Sequence, residues 1–326
     1  MPELPSAFLP PRLLRHGHLA TILSTFLPGA PEAWTREERL ELDDGDFIDV
    51  AWSQHGQPRL AILSHGLEGS HRASYIRGMT SSLTQAGWDV LAWSYRGCSG
   101  TSNRLLRSYH SGETGDLRFL VGHAACHYEN IALVGFSLGG NVTLKYAGEA
   151  PAHPAVSAVI GISAPVDLGS SALALDERTA NRIYQRRFLK TLLQKASGKS
   201  RRFPHLLHPS IPERIHNIVE FDEHVTAPLH GFTGAADYYQ RASALPLLGK
   251  IAIPALLLNA LNDPLLDSSS FPSTVAALSP GFILETPAHG GHLGFHDFAN
   301  RYQPWHERRA IAFLNQPSIM GIELGR

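Results

Sequence analysis

I-A-L-V-G-F-S-L-G-G-N, residues 131–141, is the stretch from which the fold can be read. Ile131 to Val134 is a short apolar, β-prone run, Gly135-Phe136-Ser137-Leu138-Gly139 follows, and a helix-prone run covers Val142 to Ala147. G-x-S-x-G carries chemical meaning in this strand–turn–helix setting. A serine on so sharp a turn has a strained backbone, and the residues two before and two after it must lack a bulky Cβ. Gly135 and Gly139 stand in those two places. Such a turn lifts the hydroxyl clear of the sheet, and the helix N-terminus behind it favours negative charge near the reacting atoms. The bare motif is also common as a Gly-rich turn, so the surrounding chain has to decide its meaning.

Upstream, Leu40–Leu42 and Phe47–Trp52 flank Asp43-Asp44-Gly45-Asp46 and predict a β-hairpin. Strand-like runs at Leu60–Leu63, Trp88–Trp93, Ile131–Val134 and Val156–Ile162 alternate with helix-like segments at Tyr75–Ala86, Glu113–His123 and Val142–Ala147. This alternation predicts parallel strands joined by crossover helices, with both sheet faces covered. From Asp167 to Leu248 it lapses into helix-like, polar segments at Thr179–Ala196, Ile211–Ile218 and Ala235–Ala244. It resumes with Ala255–Asn259, Ser273–Leu278, Phe282–Glu285 and a final helix predicted from Arg301 to Leu314. The expected organisation is an arm (1–35) with one short helix lying on the body, an α/β core (36–166 and 249–326) and an inserted helical cap (167–248).

A serine nucleophile needs a base, an acid that orients the base, and an oxyanion site. In such a sheet these come from loops at the carboxyl ends of strands. Asp263 follows the strand at Ala255–Asn259, and His292 follows the strand at Phe282–Glu285 within His289-Gly290-Gly291-His292. The chain order Ser137, Asp263, His292 is the Ser…Asp…His order of an α/β hydrolase. His292 is preferred to His289 because the Gly290-Gly291 pair lets the loop fold back towards the serine. The backbone N–H of Leu138, after the nucleophile, and of Leu67, in the turn His65-Gly66-Leu67, are the expected oxyanion donors. His65 is read as holding that turn in place rather than as a base.

Rival chemistries find less support. Cys98 lies in a Gly-rich loop without an elbow, and His289, His292 and His296 lack a carboxylate at H-E-x-x-H spacing, so neither a thiol nucleophile nor a metal is expected. No organic cofactor is implied. Residues 178–202 carry nine Lys or Arg and no acid. The plain reading is a solvated helix face, and the sharper one is weak attraction to an anionic membrane surface or to an acidic substrate.

The totals are those of an ordinary soluble globular protein. The 326 residues are 43% apolar and 17% charged with a formal charge of −1, so bulk charge gives no argument for a nucleic-acid partner. Two cysteines, Cys98 and Cys126, cannot build a disulfide framework and point to a reducing compartment. No basic segment followed by a long apolar run opens the sequence, and no apolar run approaches the roughly 20 residues that span a bilayer. A cytoplasmic location without a transmembrane segment is the expectation.

The blocks Gly17-His18-Leu19-Ala20-Thr21-Ile22, His65-Gly66-Leu67-Glu68-Gly69-Ser70, Arg96-Gly97-Cys98-Ser99-Gly100 and Tyr109-His110-Ser111-Gly112-Glu113-Thr114 stand in one order with the elbow. Phe221-Asp222-Glu223, Thr226-Ala227-Pro228-Leu229-His230-Gly231-Phe232, Asn259–Pro264 and His289–Phe295 continue the series. With them the chain resembles the YheT-like branch of the α/β-hydrolases, bacterial relatives of the eukaryotic abhydrolase-domain lipases. The resemblance implies an eight-stranded core with a helical cap and a relay on Ser137, Asp263 and His292. It also implies hydrolysis of carboxylic esters, with short acyl chains or acylglycerols as substrates. Thioesterase, acyltransferase and amidase chemistry would use the same residues, and a non-catalytic binding protein could keep the same fold. The family often carries aspartate where Asn262 stands and glutamine where Ala20 stands.

Overall fold

A computed structural model describes residues 3–4, 6–27, 29–149, 151–279, 281–298 and 303–316. Among these residues, nine strands form one sheet in the order β1-β9-β8-β7-β6-β4-β5-β3-β2. The central strands β4 (Arg59–Ser64), β5 (Asp89–Ser94), β6 (Asn130–Phe136), β7 (Val156–Ile162), β8 (Ala255–Leu258) and β9 (Phe282–Glu285) pair in parallel. They are buried almost from end to end, as the unbroken apolar runs require once helices cover both faces. β2 (Arg36–Glu41) and β3 (Phe47–Ser53) form the predicted hairpin, and β3 is antiparallel to both neighbours. The exposed edge strand β2 reads R-E-E-R-L-E, a charge row that discourages pairing with another chain. The eight strands expected are all present, and a two-residue strand β1 (Glu3–Leu4) adds a ninth beside β9.

Alternating side chains of each strand enter two cores. Ile62, Leu91, Leu133, Val159 and Leu257 pack on one face with α3 (Gly115–Ala125) and α4 (Leu138–Glu149). Leu63, Ala92, Val134, Ile160 and Leu258 pack on the other with α2 (Ser74–Gln85) and α12 (Trp305–Leu314). Each fully buried aliphatic side chain contributes about 1.5–3 kcal/mol, so the sheet is a stiff platform for its loops. The terminal helix begins at Trp305 because extended Pro304 caps it. Arg301 and Tyr302, where the sequence predicts its start, lie outside the described residues.

Between β7 and β8 the described residues hold helices and no strand. They are α5 (Leu168–Glu177), α6 (Arg182–Arg202), α7 (Ser210–Glu213), α8 (Ile218–Phe221), a π-helical turn at Asp222–Thr226, α9 (Ala227–Leu229) and α10 (Ala235–Ala242). The Asp167 carboxylate caps α5 by accepting from the Ser170 N–H at 3.2 Å. The single helix predicted over Ile211–Ile218 is instead two short ones. Asn217 breaks the run by capping α8, its side chain accepting from the Glu220 N–H at 2.8 Å. Leu175, Tyr184, Leu189, Ile218, Phe221 and Val225 give this segment an apolar cluster of its own. α11 (Ser273–Leu278) precedes β9. No helix among the described residues is long and apolar enough to cross a membrane.

Candidate active site

β6 delivers Ser137 to a turn in which its backbone takes φ = 52°, the left-handed region that a residue with a side chain seldom enters. The geometry shows why glycine flanks it. A Cβ on Gly135 would sit 2.1 Å from the Gly139 carbonyl oxygen, and one on Gly139 would sit 2.3 Å from the Ser64 carbonyl oxygen. The turn is pinned by the Ser137 N–H donating to the Ile162 carbonyl at 2.8 Å.

The structure brings all three side chains singled out in the sequence together. The Ser137 hydroxyl donates to His292 Nε2 across 2.9 Å, and His292 Nδ1 donates to Asp263 Oδ2 across 2.8 Å. Asp263 is buried and also accepts from the Leu265 N–H at 2.9 Å, which fixes its carboxylate. His289 is half-buried, its ring Nδ1 against the Arg15 carbonyl at 3.1 Å, and takes no part in this chain of hydrogen bonds. Cys98 is buried and its thiol is pushed up to about 11 by burial, which keeps it protonated near neutrality.

The loop carrying Leu67 abuts Ser137, since a Cβ on Gly66 would lie 3.1 Å from Ser137 Cβ. His65 is fully buried and serves this turn: Nδ1 donates to the Gly66 carbonyl at 2.7 Å and Nε2 accepts from the Tyr95 N–H at 3.1 Å. Burial lowers its pKa to about 3, so it stays neutral and cannot exchange protons with substrate near pH 7. The Tyr75 hydroxyl accepts from the Gly66 N–H at 3.0 Å. Leu138 opens α4, where the first N–H groups have no helical partner.

Several residues that hold the His292 loop receive no role from the sequence alone. α1 (Gly17–Ser24) packs on the His292 loop, and Thr21 Oγ1 accepts from the His292 N–H at 2.8 Å. Asn262 Oδ1 accepts from the Gly291 N–H at 3.0 Å while its Nδ2 donates to the Arg15 carbonyl at 2.9 Å. Ser163 Oγ accepts from the Leu293 N–H at 3.2 Å. Gly17 permits the close approach, because a Cβ there would meet the Asn262 carbonyl oxygen at 2.0 Å. These bonds run to backbone N–H groups, which no residue pattern announces. Thr21→Val should therefore lower kcat about tenfold while leaving KM nearly unchanged, since it removes one hydrogen bond of roughly 1–2 kcal/mol from the loop rather than a contact with substrate. Steady-state kinetics on one ester checks this.

Ser137 and His292 open into a cavity roofed by the helical segment. Its apolar part is built by Leu168, Leu175, Ile218, Phe221, Val225 and Leu265, with Phe188 and Leu192 from α6. The basic run on α6 does not form one solvated face. Arg182, Arg186, Arg187, Lys190, Arg201 and Arg202 are exposed, but Lys195 and Lys199 line the cavity. Ile183, which the sequence places on the apolar side, is 59% exposed.

Asp222, in the π-helical turn, also lines the cavity. It accepts from Thr226 Oγ1 at 2.6 Å and from the Tyr239 hydroxyl at 2.8 Å, and burial pushes its pKa up to about 6. The folded chain therefore binds this proton more tightly than the unfolded chain does. Stability falls as pH rises from the ordinary carboxylate range through about 6, and is level above that. Asp222→Asn should lose this slope, so the difference in urea midpoint between variant and wild type grows from pH 4 to pH 6 and then holds constant.

His110, Glu113 and His230 are the one group among the described residues with ligand atoms close enough for a metal, all within 4.8 Å of one another. Their surroundings do not fit a cation. Glu113 is already bound by Arg107 and accepts from the Gly115 N–H at 3.0 Å. Both histidines are held low at about 3, by burial first and then by positive neighbours that include Arg107 in each case.

Comparison with known proteins agrees with this architecture. Residues 62–299 match the family model described as the alpha/beta hydrolase fold. The chain is 37% identical over 302 residues to the Escherichia coli protein named "Putative esterase YheT", covering 88% of this chain and 86% of that one. It is 29% identical to a mouse protein named phospholipase ABHD3 (84% and 70% covered) and 28% identical to a Saccharomyces cerevisiae monoacylglycerol lipase (80% and 60% covered). Among solved structures, a Pyrococcus furiosus esterase superposes with a TM-score of 0.55 at 17% identity, covering 88% of this chain and 96% of that one, a likeness of fold alone. The chain belongs to the α/β-hydrolase fold family, in its YheT-like branch.

Proposed function

We propose that this α/β hydrolase cleaves carboxylic esters through an acyl-enzyme on Ser137. The observation that carries the reading is the unbroken hydrogen-bond path Ser137–His292–Asp263, set on a positive-φ elbow at the mouth of a largely apolar cavity. His292 Nε2 takes the proton as Ser137 Oγ attacks the acyl carbonyl, then gives it to the departing alcohol. Asp263 holds the ring so that Nδ1 carries the proton, and it balances the imidazolium. The N–H groups of Leu67 and Leu138 receive the developing oxyanion, each worth about 3 kcal/mol in the transition state. Water, activated by His292, then releases the acid.

Residues 167–248 act as a cap that sets which acyl groups fit, and residues 1–35 as an arm that braces the histidine loop. The apolar side chains from α5, α6 and α8 favour an aliphatic acyl chain. The names of the relatives, an esterase, a monoacylglycerol lipase and a phospholipase, favour the same chemistry. Hydrolysis of p-nitrophenyl esters of increasing chain length, measured beside acyl-CoA thioesters and amides, tests this. A peak among the esters is expected, and a flat profile at the background rate would refute the assignment.

A further inference from the structure

The cavity roofed by α6 has two chemically different ends. Phe188, Leu192, Lys195, Ala196 and Lys199 line it, a spacing that puts all five on one stripe of the helix over about 16 Å. The first part of the stripe packs with Leu175, Ile218, Phe221, Val225 and Leu265. The second part enters polar ground, where Lys195 donates to Glu68 at 2.8 Å and Lys199 to Asn103 Oδ1 at 2.6 Å. Ser137 opens onto the same cavity.

The other cations at the polar end each touch a carboxylate: Lys195 meets Glu68, Arg96 lies among Asp44, Asp46 and Asp116, and Arg107 pairs with Glu113. Lys199 is 7% exposed, and its ammonium donates to neutral oxygens only, those of Asn103 and the Leu105 carbonyl. Among the described residues no carboxylate lies within 4.0 Å of it. Asp46, whose charge acts on it, is engaged by Arg96, by the Asn103 side chain and by the N–H groups of Phe47 and Arg104. A buried ammonium without a counter-charge is costly, and the cost is recovered when an anion enters beside it. His230, a neutral ring in the field of Arg96, Arg107 and Lys199, lines the same cavity, as does His110.

We propose that the natural ester carries an oxyanion, phosphate or carboxylate, on its alcohol part, and that the end of the cavity at Lys199 and Asn103 receives it while the acyl chain lies along Phe188 and Leu192. The proposal rests on the ester-hydrolase reading and names the substrate class for it. Lys199 is a specificity residue here, remote from the reacting atoms.

The test compares esters that share one lauroyl chain: 1-lauroylglycerol, 1-lauroylglycerol 3-phosphate and lauroyl glycerate. The wild type should favour at least one charged ester over the neutral one in kcat/KM, and the arm that gains tells phosphate from carboxylate. In Lys199→Met and in Lys199→Gln, which keeps a hydrogen-bond donor, this preference should fall about ten- to hundredfold. The loss should lie in KM for the charged ester, and Lys199→Arg should restore the preference. A variant that folds poorly lowers all rates together and leaves the ratio intact, so the ratio reads charge recognition alone. Equal handling of charged and neutral esters by the wild type, or a ratio unmoved by both neutral variants, would overturn the proposal even though p-nitrophenyl butyrate is still cleaved. No turnover of any ester, p-nitrophenyl butyrate included, would remove the hydrolase reading itself and this proposal with it.

Discussion

Ser137→Ala is expected to lower kcat on any cleaved ester by about a millionfold while leaving the fold and its thermal midpoint close to wild type. The size follows from the arrangement. In the proposed mechanism the hydroxyl is the attacking atom from which His292 takes a proton, and Cys98 is no substitute, being buried with its thiol pushed up to about 11. Alanine removes one oxygen and keeps the Cβ already accommodated at the elbow, so the residual rate is that of water held beside the oxyanion donors. Circular dichroism measured beside the kinetics separates lost chemistry from lost structure. A fall of only tenfold would mean that another group attacks.

Gly135→Ala should act through the fold, with a loss of at least about 3 kcal/mol, because overpacking against backbone has no cheap relief. The added methyl would stand 2.1 Å from the Gly139 carbonyl oxygen and 2.6 Å from the Gly140 nitrogen, both in the turn that carries Ser137. Neither atom can move without shifting β6 or α4, whose residues are buried. By contrast, a Cβ on Gly122 in α3 meets nothing within 4 Å, so Gly122→Ala is a matched control expected to be neutral or mildly stabilising. Chemical denaturation of the two variants checks the pair. Equal stability would show that the elbow is looser than its geometry says.

These expectations show which layers of the molecule are legible in the sequence. The sheet, its order of strand and helix, and the Ser137, Asp263 and His292 constellation all rest on strong local signals: buried apolar runs, a Gly-flanked serine, and polar residues just past strand ends. What stays hidden is carried by long-range backbone contacts. Thr21 reaches His292 from 271 residues away and Asn262 reaches Gly291 across 29, each through an N–H that every residue type offers. The two-residue β1 is too short for any periodicity to mark it. On α6, helical phase alone cannot tell an exposed lysine from one turned into a cavity. Lys195 and Lys199 share their stripe with Phe188 and Leu192, and only the packed structure assigns that stripe to the interior. The departure at Asn262 likewise acquires a role only in three dimensions, as a tether between the arm and the histidine loop.

The central claim is that an acyl group passes through Ser137, and acid-quenched turnover of p-nitrophenyl butyrate followed by peptide mass mapping tests it most directly. One butyryl group on the peptide containing Ser137 in the wild type, more of it in His292→Ala under prolonged incubation with slowed release, and none in Ser137→Ala is the predicted result. Butyryl on any other residue, or turnover without an adduct in any of the three proteins, would contradict it.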